Sequence, residues 1–171
     1  MNFNYKKVIV IGNNGSGKSH FSKRLSEITN LPLVHLDLLY WQDEWAHKNR
    51  EEWAKIQNNL VANDEWILDG MHISTLDIRF AKAEVIYFLD IDTSVCLESA
   101  KKRQLEQRDD FPSNLDRSQG DFEAFLEGIT EFETKRKPKI LELHRKYPIN
   151  DFVIFRTREE IDEYLRSIYR K

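Results

Sequence analysis

The fold of this chain is decided by one stretch, Gly12-Asn13-Asn14-Gly15-Ser16-Gly17-Lys18-Ser19. The stretch fits the pattern G-x-x-x-x-G-K-[ST], in which a glycine-rich loop surrounds phosphate groups with backbone N–H groups. An apolar, β-branched run at residues 7–11 precedes it, and Phe21, Leu25 and Ile28 follow it at helical spacing. Strand, loop and helix therefore come in the order that a phosphate-binding loop requires.

The residue types within the loop suit a bound triphosphate with its metal ion. Gly15 and Gly17 let the backbone come close to the anion, and the helix that follows points its positive end at it. We predict that Lys18 reaches the β- and γ-phosphates as a catalytic charge and that the hydroxyl of Ser19 binds Mg²⁺. Residues 12–19 are therefore predicted to bind ATP. The competing dinucleotide pattern G-x-G-x-x-G is broken, because its third glycine is replaced by His20.

Length and composition predict one globular domain covering residues 1–171. The 26 basic and 29 acidic side chains give a net charge of −3, which counts against a surface that holds duplex nucleic acid. The lone Cys96 forms no internal disulfide and fits a reducing compartment. No stretch reads as a signal peptide or a membrane span. We expect a cytoplasmic protein without membrane contact, as a monomer or weak dimer.

Short apolar runs alternate with helix-length segments along the chain. The runs cover residues 7–11, 33–36, 66–68, 85–89 and 152–155, and amphipathic helical patterns cover residues 50–61 and 93–107. A capping box beginning at Thr157 starts the last helix. This alternation predicts a three-layer α/β/α domain with a parallel sheet covered on both faces.

Residues 103–120 break the alternation. The segment is polar, contains Arg103, Arg108 and Arg117, and is interrupted by Pro112. It is either a solvated excursion or a mobile lid that brings arginines over the phosphates. Two helical stretches follow, at residues 122–135 and 139–147, with Pro138 between them.

Carboxylates follow several of the predicted strands. Ligands of such sheets bind beyond the carboxyl ends of the strands, where Asp37, Asp69 and Asp90 stand. We predict that Asp69 orients Mg²⁺ through water beside Ser19 and that Asp37 holds metal waters or an acceptor hydroxyl. Capping of the next helix explains the region of Asp90 without a metal. Gly70 lets the backbone turn sharply at this site.

Aromatic side chains cluster after Asp37. Tyr40, Trp41 and Trp45 lie behind a strand end on the predicted active-site side. Aromatics at this density form either core or interface, or a platform on which a ring of the second substrate stacks. The histidines show no metal-ligand spacing, so a zinc site is not expected.

Taken together, these stretches resemble the adenylate-kinase-like nucleotide kinases, and among them the small group called topology modulation proteins. The resemblance runs from about residue 8 to residue 165. It is carried by the phosphate loop, His35-Leu36-Asp37 with the aromatics behind it, residues 66–70, Arg79 ahead of residues 85–90, and the arginine-bearing excursion. After Asp69-Gly70 the chain has Met71-His72 where true adenylate kinases have Phe-Pro-Arg, which does not favour AMP as acceptor.

The resemblance implies a sheet in the order 2-3-1-4-5, an ATP and Mg²⁺ site at residues 12–19, and a lid at residues 103–120. It implies that Arg103 lies against the nucleotide, and that Arg108 and Arg136 clamp the phosphoryl group in transfer. Arg79 falls where the group has an arginine near the acceptor. Asp37, Tyr40, Trp41, Asp69 and Gly70 join it as the predicted substrate-binding residues.

Two functions from different classes remain open on these grounds. The first is an ATP-dependent kinase that transfers the γ-phosphoryl group to a small, nucleotide-like acceptor, because charge neutralisation and positioning are what this reaction needs. The second is an ATP-binding regulatory protein linked to DNA topology, with little or no turnover. A GTPase is not favoured, since the guanine-reading motif Asn/Thr-Lys-x-Asp is absent from the sequence.

Overall fold

Five parallel strands form one sheet in the part of the chain that the structure describes. The computed structural model describes residues 3–41, 46–103, 122–148 and 150–169. Its strands are β1 Lys7–Gly12, β2 Leu33–His35, β3 Trp66–Asp69, β4 Val85–Leu89 and β5 Asp151–Phe155. Their order is β2-β3-β1-β4-β5, and every pairing is parallel. The predicted order is therefore confirmed.

The strands form where apolar side chains can be buried on both faces. All of β4 is buried, and so is β1 from Val8 to its end. Helices on both faces of a parallel sheet require such continuous apolar runs, because neither face meets water. The central strands are consequently the ones that the sequence marks most clearly.

Helices connect the strands, and several begin at a capping side chain. Their bounds are α1 Lys18–Thr29, α2 Asp37–Tyr40, α3 Arg50–Val61, α4 Leu76–Phe80, α5 Thr93–Lys102, α6 Phe122–Thr130, α7 Lys137–Lys146 and α8 Arg158–Tyr169. A 3₁₀ turn covers Ile73–Thr75, and a π-helical turn covers Phe132–Arg136. Asn49 and Glu52 cap α3 reciprocally, and Asp92 accepts from the backbone N–H of Ser94 to cap α5.

The apolar core has two parts, one on each face of the sheet. Val8 and Val10 of β1 point into the part covered by α1, α5 and α8. Ile9 and Ile11, which alternate with them, point into the part covered by α3, α4 and α7. This arrangement confirms the predicted three-layer α/β/α architecture.

One sequence-based boundary shifts in the structure, and one predicted segment falls outside the residues that it describes. The sequence predicts that Pro138 separates two helices, but Pro138 occupies the second position of α7, which follows directly on the π-helical turn. Arg108 and most of the predicted lid, residues 104–120, lie outside the described residues. Within the described part of the chain, no helix is both long and apolar enough to cross a membrane.

Candidate active site

The predicted phosphate loop joins the carboxyl end of β1 to the first turn of α1. Gly15, at its centre, has a φ of 84°, a left-handed conformation that favours glycine. A Cβ atom added there would stand 3.0 Å from the carbonyl carbon of Cys96 in the first turn of α5. The loop is therefore tightly seated under α5, and its shape depends on the absence of a side chain at residue 15.

Lys18 begins α1 with its ammonium group folded back over the loop. Its Nζ donates a hydrogen bond to the carbonyl oxygen of Asn13 at 3.0 Å, and the backbone N–H of Ser16 donates to the same oxygen at 3.2 Å. Ser19, in the first turn of α1, is half-buried. The N-terminus of a helix and a lysine thus converge on one loop, an arrangement suited to an anion.

Arg103 contacts this loop from the far end of α5. Its Nη2 donates to the carbonyl oxygen of Gly15 at 3.2 Å, and its Nε donates to the carbonyl oxygen of Ser99 at 3.3 Å. The structure therefore brings Arg103 beside the predicted nucleotide site. Whether its guanidinium contacts the nucleotide stays a prediction.

Asp69 ends β3 as a nearly buried carboxylate, with 4% of its surface exposed. Its Oδ2 accepts a hydrogen bond from His35 Nδ1 at 2.8 Å, and His35 is its registered neighbour across the β2–β3 pair. Its Oδ1 is buried and has no hydrogen-bond partner among the described residues. One oxygen is thus oriented by a histidine, while the other has unused acceptor capacity.

Asp37 begins α2 and pairs with a second histidine. His72 Nε2 donates to Asp37 Oδ1 at 2.9 Å, and the side chain of Asp37 remains 45% exposed. His72 adopts a φ of 29° and a ψ of 64°, which is unusual for a residue with a side chain. The turn after β3 thus holds a strained histidine against the exposed carboxylate.

Arg79 of α4 is completely buried and holds that turn in place. Its guanidinium donates to the carbonyl oxygens of Gly70 at 2.6 Å, Met71 at 2.7 Å and His72 at 3.3 Å. Burial lowers the pKa of Arg79 to about 9, and the nearby carboxylates of Asp69 and Asp37 oppose that shift. Arg79 therefore stays protonated at neutral pH. Because it is buried, it supports the predicted acceptor side through the backbone of residues 70–72 and does not reach the surface itself.

Tyr40 and Trp41 of the aromatic cluster pack against neighbouring rings, whereas Trp45 lies outside the described residues. The ring of Tyr40 lies 5.1 Å from Trp41, 5.0 Å from Trp53 and 4.5 Å from His72, and it stacks on His47 at 5.4 Å. Burial raises the pKa of Tyr40, and the charge of Asp37 raises it further, so the phenol is neutral at neutral pH. These rings pack against the turn that carries His72. This packing is typical of core aromatics rather than of exposed rings on which a substrate could stack.

Magnesium fits the donor set at the ends of β1 and β3. Mg²⁺ takes one or two carboxylates together with phosphate oxygens and water, and Asp69 presents an unpartnered buried oxygen at this edge. No group of three or more histidine, cysteine, aspartate or glutamate side chains suited to a metal occurs in the described ranges. Ser19 and Asp69 would hold the ion. Asp37, which follows β2, would bind the water molecules around it.

Asp90, the carboxylate after β4, forms an ion pair with a lysine of α7. Asp90 lies 2.8 Å from Lys137 Nζ, and its side chain is 9% exposed. Arg136, the neighbour of Lys137 in the chain, is half-buried in the π-helical turn. The predicted capping of α5 is made by Asp92.

Several of these contacts were not foreseen from the sequence. They involve His35, His72, the side chain of Asn13, and Lys137. The only signal available was position: His35 and His72 each stand within three residues of a predicted strand-end carboxylate. The β2–β3 register sets His35 beside Asp69, and the turn after β3 brings His72 to Asp37.

Comparison with known proteins places the fold. No protein-family model and no curated protein matches the chain. The shikimate kinase from Bacteroides thetaiotaomicron is similar in structure, with a TM-score of 0.62 and 16% identity over 96% of this chain and 97% of that chain. The shikimate kinase from Acinetobacter baumannii, solved in complex with shikimate, has a TM-score of 0.55 and 14% identity over 95% of this chain and 92% of that one.

These similarities show the fold alone, because the sequence identities of 16% and 14% are far below 25%. The fold is the P-loop α/β fold found in small-molecule kinases. The narrower resemblance to topology modulation proteins stays a prediction.

Proposed function

We propose that this protein is an ATP-dependent kinase that transfers the γ-phosphoryl group, with Mg²⁺, to a small acceptor held at the ends of β2 and β3. The observation that carries the proposal is the joint placement of two groups. The loop with Lys18 follows β1. The oriented carboxylate of Asp69 ends the neighbouring strand β3, and that of Asp37 follows β2, the next strand in the sheet.

The nucleotide side has parts suited to phosphoryl transfer. This reaction needs positioning and charge stabilisation rather than a protein nucleophile. In the proposal, Lys18 turns from the Asn13 carbonyl to the β- and γ-phosphates, while backbone N–H groups of residues 12–19 surround them. Arg103 lies against the nucleotide, and Arg108 and Arg136 neutralise the phosphoryl group in transfer. Bound Mg²⁺ supplies charge neutralisation between the phosphates.

The acceptor side is built to receive a hydroxyl group. Asp37 is half-exposed, and His72 fixes one of its oxygens, so the carboxylate can accept a hydrogen bond from an acceptor hydroxyl and orient it. Gly70, Tyr40 and Trp41 would line the same side, while Arg79 supports it from within. The likeness to shikimate kinases agrees with a hydroxyl-bearing metabolite as the acceptor class.

A panel of acceptors tests the proposal. ADP formation from ATP and Mg²⁺ is measured with nucleosides, nucleoside monophosphates, hexoses, polyols and shikimate, and products are examined by mass spectrometry for an added phosphoryl group. We expect at least one class to raise ADP formation and to gain the phosphoryl group, and Lys18→Ala to abolish both. If ATP binds but ADP forms equally slowly with every compound, the kinase assignment is wrong and a binding role replaces it.

A further inference from the structure

The chain crosses the carboxyl edge of the sheet between residues 129 and 137, a segment called here the crossing segment. Ile129 packs into the core part under α1, α5 and α8. Phe132 packs into the opposite part, with its ring 6.2 Å from that of Phe88. The segment therefore passes from one face of the sheet to the other beside the phosphate loop.

Asn13 ties the start of the crossing segment to the loop. Its side chain is 1% exposed, and its Nδ2 donates to the carbonyl oxygen of Ile129 at 2.9 Å. Its Oδ1 accepts from the backbone N–H of Asn14 at 2.8 Å. The same residue whose carbonyl receives Lys18 thus also holds the crossing segment.

Lys137 ties the end of the crossing segment to β4. Its Nζ lies 2.8 Å from Asp90 and 3.0 Å from Glu133. Asp90 follows Leu89, which is the registered partner of Gly12 at the start of the loop. Burial alone would lower the pKa of Lys137, but the hydrogen bonds that its ammonium donates to the carboxylates of Asp90 and Glu133 outweigh burial and raise the pKa. The ion pair therefore lies one residue beyond Leu89, which is the strand neighbour of Gly12 in the loop.

Arg136 lies between these two attachments. It ends the π-helical turn, a wide helical form that is frequent at functional sites. Its Nη2 stands 3.4 Å from the point that a Cβ atom on Gly128 would occupy. Gly128 precedes Ile129, so the guanidinium lies next to the residues that Asn13 holds.

We propose that Lys137 and Asp90 are positioning residues that hold Arg136 in place to contact the terminal phosphate of the bound nucleotide. This inference rests on the proposed function, because it takes ATP as the ligand of residues 12–19. It gives a role to an ion pair of a half-buried lysine and a largely buried carboxylate that the phosphoryl transfer does not itself use. Since a displacement of about 1 Å can weaken an oriented contact severely, a support of this kind matters for activity.

The chain offers a matched control for Lys137. Lys135 belongs to the π-helical turn just ahead of Lys137 and pairs with Glu131 four residues earlier, but its side chain is 65% exposed and it is not tied to a strand end by that pair. If any lysine near this turn acted through general charge, Lys135→Met would resemble Lys137→Met. If attachment to β4 is what matters, only the second variant has an effect.

Binding of two nucleotides tests the inference without knowledge of the acceptor. Dissociation constants are measured by calorimetry for ADP and for the non-hydrolysable analogue AMP-PNP, each with Mg²⁺. The dissociation constant for ADP divided by that for AMP-PNP, called here the preference for AMP-PNP, reports contacts to the terminal phosphate. We expect Arg136→Met and Lys137→Met each to lower the preference for AMP-PNP by at least about fivefold, as for a lost charge-assisted contact. Lys137→Arg and Lys135→Met should retain it.

A double-mutant cycle decides whether Lys137 acts through Arg136. In the Arg136→Met background, Lys137→Met should lower the preference no further. The pair Asp90→Asn with Lys137→Met removes both charges, so it avoids leaving one buried charge alone and should fold while showing the same loss. Unchanged preference in that folded pair, or additive effects in the cycle, would overturn the inference. Absence of nucleotide binding in the wild type would instead overturn the proposed function, and this inference with it.

Discussion

Replacement of Arg79 tests whether this residue supports the protein's interior, as the structure indicates, or binds the acceptor, as the sequence predicts. The resemblance places Arg79 near the acceptor, whereas the structure buries it completely with its guanidinium on three backbone carbonyls. Arg79→Met removes all three hydrogen bonds and leaves those carbonyl oxygens beneath α4. If the residue mainly shapes the turn after β3, the free energy of unfolding must fall.

The size of the loss follows from the contacts. A hydrogen bond to a charged donor contributes about 1.5–3 kcal/mol, and an orphaned buried carbonyl costs about 1–3 kcal/mol. Relief from burying a cation offsets part of this sum. We expect Arg79→Met to lose about 3–5 kcal/mol, which lowers the melting temperature by roughly 10 °C for a chain of this size. Arg79→Lys should lose less but not recover the wild-type value, because a single ammonium cannot span carbonyls of successive residues as a planar guanidinium does.

Urea unfolding followed by far-UV circular dichroism measures these losses. Arg145→Met is the matched control, because Arg145 is exposed on α7 and such substitutions usually change stability by less than about 0.5 kcal/mol. If Arg79→Met loses no more than this control, the guanidinium does not support the turn. The acceptor-binding interpretation of Arg79 would then be preferred.

Four further predictions concern single residues. Lys18→Ala should lower kcat/KM for ATP at least about a hundredfold with little change in melting temperature, measured by ADP release; a wild-type rate would contradict the site. Asp69→Asn should raise the Mg²⁺ concentration for half-maximal turnover about tenfold, and an unchanged requirement would place the metal elsewhere. Gly15→Ala should weaken AMP-PNP binding at least about tenfold, since its φ of 84° and the 3.0 Å approach to Cys96 leave no room for Cβ. The hydrogen bond from Lys146 holds the pKa of Asp77 below its usual value, so Asp77→Asn should lower the free energy of unfolding at neutral pH by about 0.5 kcal/mol, measured by urea unfolding. That difference should vanish as pH falls through the folded-state pKa, because the wild-type carboxyl is then protonated as well.

The sequence by itself determined the fold class of this protein and predicted where a nucleotide would bind. The phosphate loop is a contiguous pattern, and apolar runs report burial on both faces of a strand, so both could be read from neighbouring residues. The order of the strands came from the resemblance rather than from spacing, and the sheet confirms it. Asp37 and Asp69 could be selected as candidate site residues because each directly follows an apolar run, and this too can be seen in neighbouring residues.

Only the tertiary structure decided what those residues contact. His35 meets Asp69 through the register of β2 against β3, and His72 meets Asp37 across 35 positions of the chain. The attachment of Ile129 to Asn13 spans 116 positions. The physical reason is that such pairings depend on how separate elements pack, whereas composition and periodicity report only how each segment meets water. An arginine that binds carbonyls inside the protein and one that binds a substrate at its surface look the same until the packing is known, which is why Arg79 needed the fold to be understood.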